Sequence, residues 1–232
     1  MKFDSIRERI FVALDVPGAD EARALVEKLG EEASCFKIGL QLFCKAGPQF
    51  VRELAKEGKI IFLDLKFHDI PNTVAGAVAS VANLGAKLMN IHCSGGSEMM
   101  TAARKAADEH GDTALLGVTV LTSLDDENLK DLGFAHTTEG QVLQFARMAN
   151  EAKLDGVVCS PKEIELLRSE IGDDFLLVTP GIRPAWSVAG DQKRITTPKE
   201  ALEKGASALV IGRPITGADN PADAIKRILD EC

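Results

Sequence analysis

The chain has 232 residues, 45% hydrophobic and 27% charged, which suits one large α/β domain and excludes wholesale disorder. Its net charge of −8 argues against nucleic acid or an anionic membrane as a partner, since both demand a basic surface. The five cysteines (Cys35, Cys44, Cys93, Cys159, Cys232) are odd in number and lack CxxC spacing. Three of them fall in or beside apolar runs, so they read as reduced core thiols rather than disulfides or zinc ligands. The start, MKFDSIRERI, lacks a signal-peptide core, and no apolar run approaches about 18 residues. A cytoplasmic protein without a membrane span is the expectation.

Strand and helix patterns alternate along the whole chain. Ile10 to Leu14 reads as a strand, with a helix from about Asp20 to Leu29 and a stop at Gly30. A second strand covers Cys35 to Ile38, and its helix runs through Phe50, Val51 and Leu54 to Gly58. A third starts at Lys59; Pro71 opens the helix that carries Val74, Val78 and Val81. Leu88 to His92 is the fourth strand, followed by a helix from Gly96 to Gly111. Ala114 to Val120 is the fifth, joined by a polar connection to a helix over Val142 to Ala152. Gly156 to Cys159 is the sixth, with Pro161 opening a helix to Ile171. Phe175 to Thr179 and Ala208 to Ile211 are the last strands, with helices at Pro198 to Lys204 and Pro221 to Leu229. Eight such units, without an intervening linker, predict a single (β/α)8 TIM-barrel domain over residues 1–232. An open doubly wound sheet is the competing topology, but the GxGxxG turn after strand one is missing.

A barrel of this kind works at the C-terminal ends of its strands. Polar residues gather there: Asp15, Lys37, Asp64, Lys66, His92, Thr122, Arg183 and Arg213 each end or follow a strand, with Asp69 just beyond the third. The stretch DLKFHDIPNTV, Asp64 to Val74, is the densest. Alternation puts Phe62, Asp64 and Lys66 on one face of its strand and Ile61, Leu63 and Leu65 on the other. Opposite charges on an inward face need partners. They form either a structural ion pair or a catalytic one, in which a lysine between carboxylates keeps a proton and then delivers it.

The loops after the last two strands point to phosphate. Gly212-Arg213-Pro214 follows strand eight, and the connection after strand seven carries Arg183, Gly190, Gln192, Lys193 and Arg194. Barrels bind phosphate at this place with backbone N–H groups and a basic side chain. Read separately, the first is a turn and the second a solvated connection.

A catalytic metal has less support. His68 and His92 neighbour the acidic cluster, but no HxH or HExxH spacing occurs, and Lys66 would put a positive charge inside the site. His110 and His136 read as solvent-facing. Ser94-Gly95-Gly96-Ser97 is no nucleophile elbow. A Schiff base on Lys37 or Lys66 would require a lysine with a depressed pKa, opposite to what neighbouring carboxylates do.

Taken together, VALDV (from Val12), FKIGLQLF (from Phe36), DLKFHDIPNTV, VLTS (from Val120), TPGIRP (from Thr179), AGDQKRITTP (from Ala189) and VIGRPI (from Val210) resemble the bacterial type of the orotidine 5′-phosphate decarboxylase family. The similarity spans essentially the whole chain. DxKxxD alone is shared with related sugar-phosphate decarboxylases and aldolases; the IPNTV extension and AGDQ narrow it. Trp186 is the one departure, a bulky residue where a small one is expected. The resemblance implies conversion of orotidine 5′-monophosphate to UMP and CO2, without metal or organic cofactor. Lys37, Asp64, Lys66 and Asp69 would form an alternating charged array, with Lys66 protonating C6 and Asp64 against the substrate carboxylate. Asp15 and Lys37 would hold the ribose, Thr122 the pyrimidine end, and Arg183, Gln192, Gly212 and Arg213 the phosphate. It also implies a homodimer in which Asp69 and Thr73 cross to the partner's site. A metal-assisted sugar-phosphate lyase or epimerase and a non-catalytic nucleotide-binding module are the alternatives.

Overall fold

The computed structural model describes residues 3–187 and 196–232. Eight strands, β1 (Ile10–Ala13), β2 (Cys35–Gly39), β3 (Ile60–Phe67), β4 (Leu88–His92), β5 (Ala114–Val118), β6 (Gly156–Val158), β7 (Leu176–Thr179) and β8 (Ala208–Ile211), close into one parallel barrel in chain order. The seam is shut by β8 beside β1, with Ile10 opposite Leu209. Around it lie α1 (Ala19–Leu29), α2 (Leu40–Lys56), α3 (Pro71–Ala82), α4 (Ser97–His110), α5 (Asp126–Asp131), α6 (Thr138–Glu151), α7 (Ile164–Ile171), α8 (Pro198–Glu203), α9 (Arg213–Thr216) and α10 (Pro221–Glu231). The expected (β/α)8 fold is the observed one.

Away from the charged and polar residues of β2, β3 and β4, the strands are apolar on both faces because both are covered, and the two faces feed two separate cores. Outward residues such as Val12, Ile38, Ile61, Leu63 and Leu65 pack under the helices. Inward residues, among them Phe11, Cys35, Phe62, Leu88, Leu116 and Val178, fill the barrel. Within it, Phe3, Phe11 and Phe62 stack edge to face, with centroids 6.2 and 6.1 Å apart. The alternation of β3 is therefore as predicted: Phe62 points in and its neighbours point out.

Several boundaries move from the sequence expectation, among them the start of α6 at Thr138 instead of Val142, and two short helices are additional. β5 stops at Val118, not Val120, and just beyond it both the N–H and the hydroxyl of Thr119 donate to the Val158 carbonyl, at 3.3 and 2.9 Å. α7 begins at Ile164 rather than Pro161, since the Glu163 carboxylate accepts the Ser160 N–H at 2.6 Å and closes a turn first. The polar connection after β5 holds α5, started by a reciprocal cap between Asp125 and Asn128. α9 is a single extra turn directly after Gly212. In α2 the helical path is broken at Gly47, whose φ of 72° only glycine adopts at little cost, immediately before Pro48.

At the barrel's N-terminal end, Arg168 of α7 ties β7 to β8. Its guanidinium donates to the carbonyls of Gly205, Gly172 and Phe175 and to the Ser207 hydroxyl, at 2.6 to 2.9 Å. All five cysteines are free thiols. Burial pushes the Cys93 and Cys159 thiols up to about 12 and that of Cys35 up to about 11. Among the described residues, no helix is long and apolar enough to cross a membrane.

Candidate active site

The C-terminal ends of β1, β2 and β3 bring four charges into one line. Lys37 Nζ lies 2.5 Å from Asp15 Oδ1 and 3.9 Å from Asp64 Oδ2. Lys66 Nζ lies 2.6 Å from Asp64 Oδ1. Signs alternate along Asp15, Lys37, Asp64 and Lys66, so each lysine has a carboxylate beside it. The Lys37 side chain is 8% exposed and that of Asp64 15%, whereas Asp15 is 61% exposed. The inner pair thus lacks most of the solvent that would screen it.

Local backbone shape makes this line possible. Gly39 stands beside Asp64 in the β2–β3 register. A Cβ on Gly39 would lie 3.1 Å from Lys37 Nζ and 3.4 Å from Asp15 Oδ1, so the absence of a side chain leaves room for that pair. At Lys66 the backbone leaves the extended conformation, with φ 53°, an uncommon state for a residue with a Cβ. The β3–β4 ladder is irregular there, passing from Leu63 opposite Met89 to Phe67 opposite Ile91. Asn90, fully buried in β4, fills the gap: its Oδ1 accepts the Lys66 N–H at 2.8 Å, and its Nδ2 donates to Asp64 Oδ1 at 2.6 Å. Neither Gly39 nor Asn90 stood out in the sequence. Asn90 did carry a signal, as a polar residue between Met89 and Ile91 in the otherwise apolar interior of LMNIH.

Asp69 stands apart from the array within its own chain. It is exposed, accepts its neighbour Ile70's N–H at 2.6 Å, and has no ion-pair partner among the described residues. Lys66 is therefore flanked by one carboxylate of its own chain, not two. Thr73 is likewise exposed, in the first turn of α3. His68 and His92 face each other with ring centroids 5.4 Å apart. Burial, and then the nearby His68 and Lys66, lower the His92 pKa below its ordinary value, against the pull of Asp64. His110 and His136 are exposed, as expected. Among the described residues, no three His, Cys, Asp or Glu side chains are grouped as ligands of one metal ion would be.

The opposite side of the mouth is open. A cavity of about 920 Å³ runs along the ends of β5, β6 and β7, and both Thr122 and Arg183 line it. A second, of about 350 Å³, lies between the loops after β7 and β8, walled by Arg183, Trp186, Ser187, Arg213, Pro214, Gly217 and Ala218. Arg183 borders both cavities, and its N–H donates to the Thr196 carbonyl at 3.2 Å, joining the two described ends of the β7 loop. Gly212 precedes α9 directly beside Arg213. Trp186 is half-buried against the outer core, with the Arg227 guanidinium 4.6 Å from its ring centroid. Gln192 lies outside the described residues.

A closed parallel barrel with alternating charges at the C-terminal ends of its strands defines a TIM-barrel enzyme. The family model for orotidine 5′-phosphate decarboxylase / HUMPS matches residues 8–228. A relative from Alkalilimnicola ehrlichii, named orotidine 5′-phosphate decarboxylase, is 50% identical over 221 residues, or 95% of this chain and 94% of its own. One of the same name from Pseudoalteromonas translucida is 52% identical over 216 residues, 92% of either chain. The crystal structure of orotidine 5′-phosphate decarboxylase from Lactobacillus acidophilus superposes with a TM-score of 0.86 at 41% identity, covering 96% of this chain and 97% of that one. The chain belongs to the orotidine 5′-phosphate decarboxylase / HUMPS family.

Proposed function

We propose that this protein is an orotidine 5′-phosphate decarboxylase of pyrimidine biosynthesis, working without metal or organic cofactor and with Lys66 as the proton donor to C6. The observation that carries the proposal is the line Asp15–Lys37–Asp64–Lys66, in which an ammonium is held 2.6 Å from a carboxylate of the same strand face. The names of the relatives, at about half identity over nearly the full chain, support the same substrate.

In this reading the nucleotide spans the mouth. Arg183, Gln192, Gly212 and Arg213 hold its phosphate at the β7–β8 side, and the 350 Å³ cavity between the two arginines supports that end. Asp15 and Lys37 hold the ribose hydroxyls; Thr122 meets the pyrimidine. The substrate carboxylate then lies against Asp64. The bond from C6 to the carboxylate carbon breaks, CO2 departs, and the electron pair left on C6 lies beside the Lys66 ammonium. Lys66 stabilises that charge and passes its proton to C6, giving UMP, and regains a proton from solvent. Binding at the remote phosphate contributes to assembling the charged site.

We further propose a homodimer in which Asp69 and Thr73 enter the partner's mouth, which is supported by their exposure and by the separation of Asp69 from its own chain's array. The free cysteines and the lack of a membrane-spanning helix among the described residues support a cytoplasmic enzyme. Residues 1–232 act as one catalytic domain.

The test is a spectrophotometric assay of orotidine 5′-monophosphate consumption in excess chelator. Formation of UMP and CO2 is the expected outcome. An inert protein that binds UMP would be a nucleotide-binding module, and activity lost to the chelator would indicate a metal-assisted barrel enzyme.

A further inference from the structure

Asn90 makes contacts that a strand residue ordinarily has no occasion to make. It sits in the middle of β4, 0% exposed, between Met89 and Ile91, which belong to the core under the helices. Opposite it the β3–β4 ladder skips: β3 advances four residues from Leu63 to Phe67 while β4 advances two, from Met89 to Ile91. Two surplus β3 residues must be accommodated, and the Asp64–Lys66 pair falls inside that bulge. Bulges re-aim side chains, but they also leave backbone groups without ladder partners.

The Asn90 carboxamide supplies the missing partner and does a second thing at once. Its oxygen takes the Lys66 N–H, at 2.8 Å, where φ is 53°. Its nitrogen donates to Asp64 Oδ1, at 2.6 Å, the same oxygen that receives Lys66 Nζ. A carboxamide offers an acceptor and a donor on one rigid plane, and the backbone donor at Lys66 fixes which end faces which. The lysine's main chain and its carboxylate partner are thereby held by a single side chain rooted in a different strand.

We propose that Asn90 is a positioning residue of this site, gripping the bulged backbone at Lys66 and the carboxylate of Asp64 together so that their spacing is set before any ligand arrives. It touches neither the phosphate cavity nor any reacting atom, and it acts through Lys66 and Asp64. The inference rests on the decarboxylase reading for its kinetic consequence, but not for its structural one.

Two variants test it. Asn90→Asp keeps the shape and the acceptor for Lys66 N–H, but turns an oxygen rather than an N–H towards Asp64. Adjacent carboxylates hold a shared proton to higher pH than one carboxylate does, so the ionised pair needs a more alkaline solution. The acid limb of kcat should move upward by about one pH unit or more, with kcat at neutral pH down by about 100-fold and KM changed far less. Asn90→Ala loses both contacts, and amide hydrogen exchange at Lys66, followed by NMR, should accelerate by at least about tenfold relative to its β3 neighbours. A purely structural asparagine would lower stability without moving the pH limb. Asn90→Asp with the wild-type kcat and pH profile would overturn the proposal, as would unchanged Lys66 exchange in Asn90→Ala. If Asn90→Ala does not fold, the isosteric Asn90→Asp decides. If the wild-type protein itself proves inactive towards orotidine 5′-monophosphate, the functional reading fails, while the exchange rate at Lys66 still reports on the grip of Asn90.

Discussion

Lys37 is held by Asp15 at 2.5 Å yet stands 3.9 Å from Asp64, so its closest partner is the most exposed member of the array. The two contacts should respond differently to mutation. Asp15→Asn should cost less than about 1 kcal/mol of stability, because the removed charge is largely in solvent. Lys37→Met takes away the ammonium between Asp15 and Asp64 and should lower kcat/KM by about 100-fold or more. Steady-state kinetics with urea unfolding of each variant separates these effects; equal kinetic losses would mean that the two residues act as one unit.

The backbone at Lys66 sets stability against activity. Its φ of 53° suits glycine and disfavours any residue with a Cβ. Lys66→Ala and Lys66→Gly should both abolish turnover, since neither can give a proton. Lys66→Gly should be the more stable of the two by about 1 kcal/mol, the reverse of the order expected at an ordinary strand position. Near-normal turnover in either variant would remove Lys66 as the proton donor.

That conformation also marks how far the sequence could be read. Period-two alternation was enough to put Asp64 and Lys66 on the inner face, and turn residues with apolar periodicity were enough for eight strands. The bulge was not legible, because a lysine at positive φ carries no signature of its own and the irregularity depends on a side chain 24 residues away. Asn90 looked like one polar interruption in an apolar strand. α5 escaped because it is six residues long within a polar stretch and has little apolar periodicity; its cap between Asp125 and Asn128 was the available clue. That Lys66 is flanked by a single carboxylate of its own chain depends on the direction of the turn at Asp69, which spacing does not encode.

Sharing of the site between subunits is tested by mixing two inactive proteins, Lys66→Ala and Asp69→Ala, under conditions that exchange subunits. In a mixed dimer one site carries both defects and the other carries none. With random exchange of equal amounts, activity should recover to roughly a quarter of wild type. A mixture that stays inactive would place the action of Asp69 within its own chain.

At the phosphate end, Arg213→Ala should weaken UMP binding by about 2 kcal/mol, the value of a charge-assisted contact left unmade. Uridine, without the phosphate, should bind both proteins alike. Equal weakening of both ligands, measured by calorimetry, would make Arg213 structural. Trp186 lines the same cavity and is the chain's single tryptophan, so its emission should shift when UMP saturates the wild-type protein.

The His92 pKa is depressed by burial, by His68 and by Lys66, so the folded protein favours the neutral ring. The unfolded chain takes up its proton at the ordinary value of 6.5. Below that value the unfolded state binds more protons than the folded one, and stability falls with pH until the folded ring titrates as well. His92→Asn should flatten this part of the stability profile. NMR titration should put the wild-type His92 midpoint below 6.5; a midpoint at or above it would contradict the assignment.

Beneath the array, Phe62 and Phe11 meet edge to face and the barrel is filled by apolar side chains down to Phe3. Such a filling conducts no water and polarises little, so it serves as an insulator under a set of electrodes. Apart from the Asn90 carboxamide, which bonds Asp64 and the Lys66 backbone, the side chains filling the barrel below are apolar, so the field of Lys37, Asp64 and Lys66 is directed towards the mouth, where solvent or ligand must answer it. A polar group introduced at Phe62, two residues from Asp64 on the same face, would short that circuit from underneath without touching a single charge.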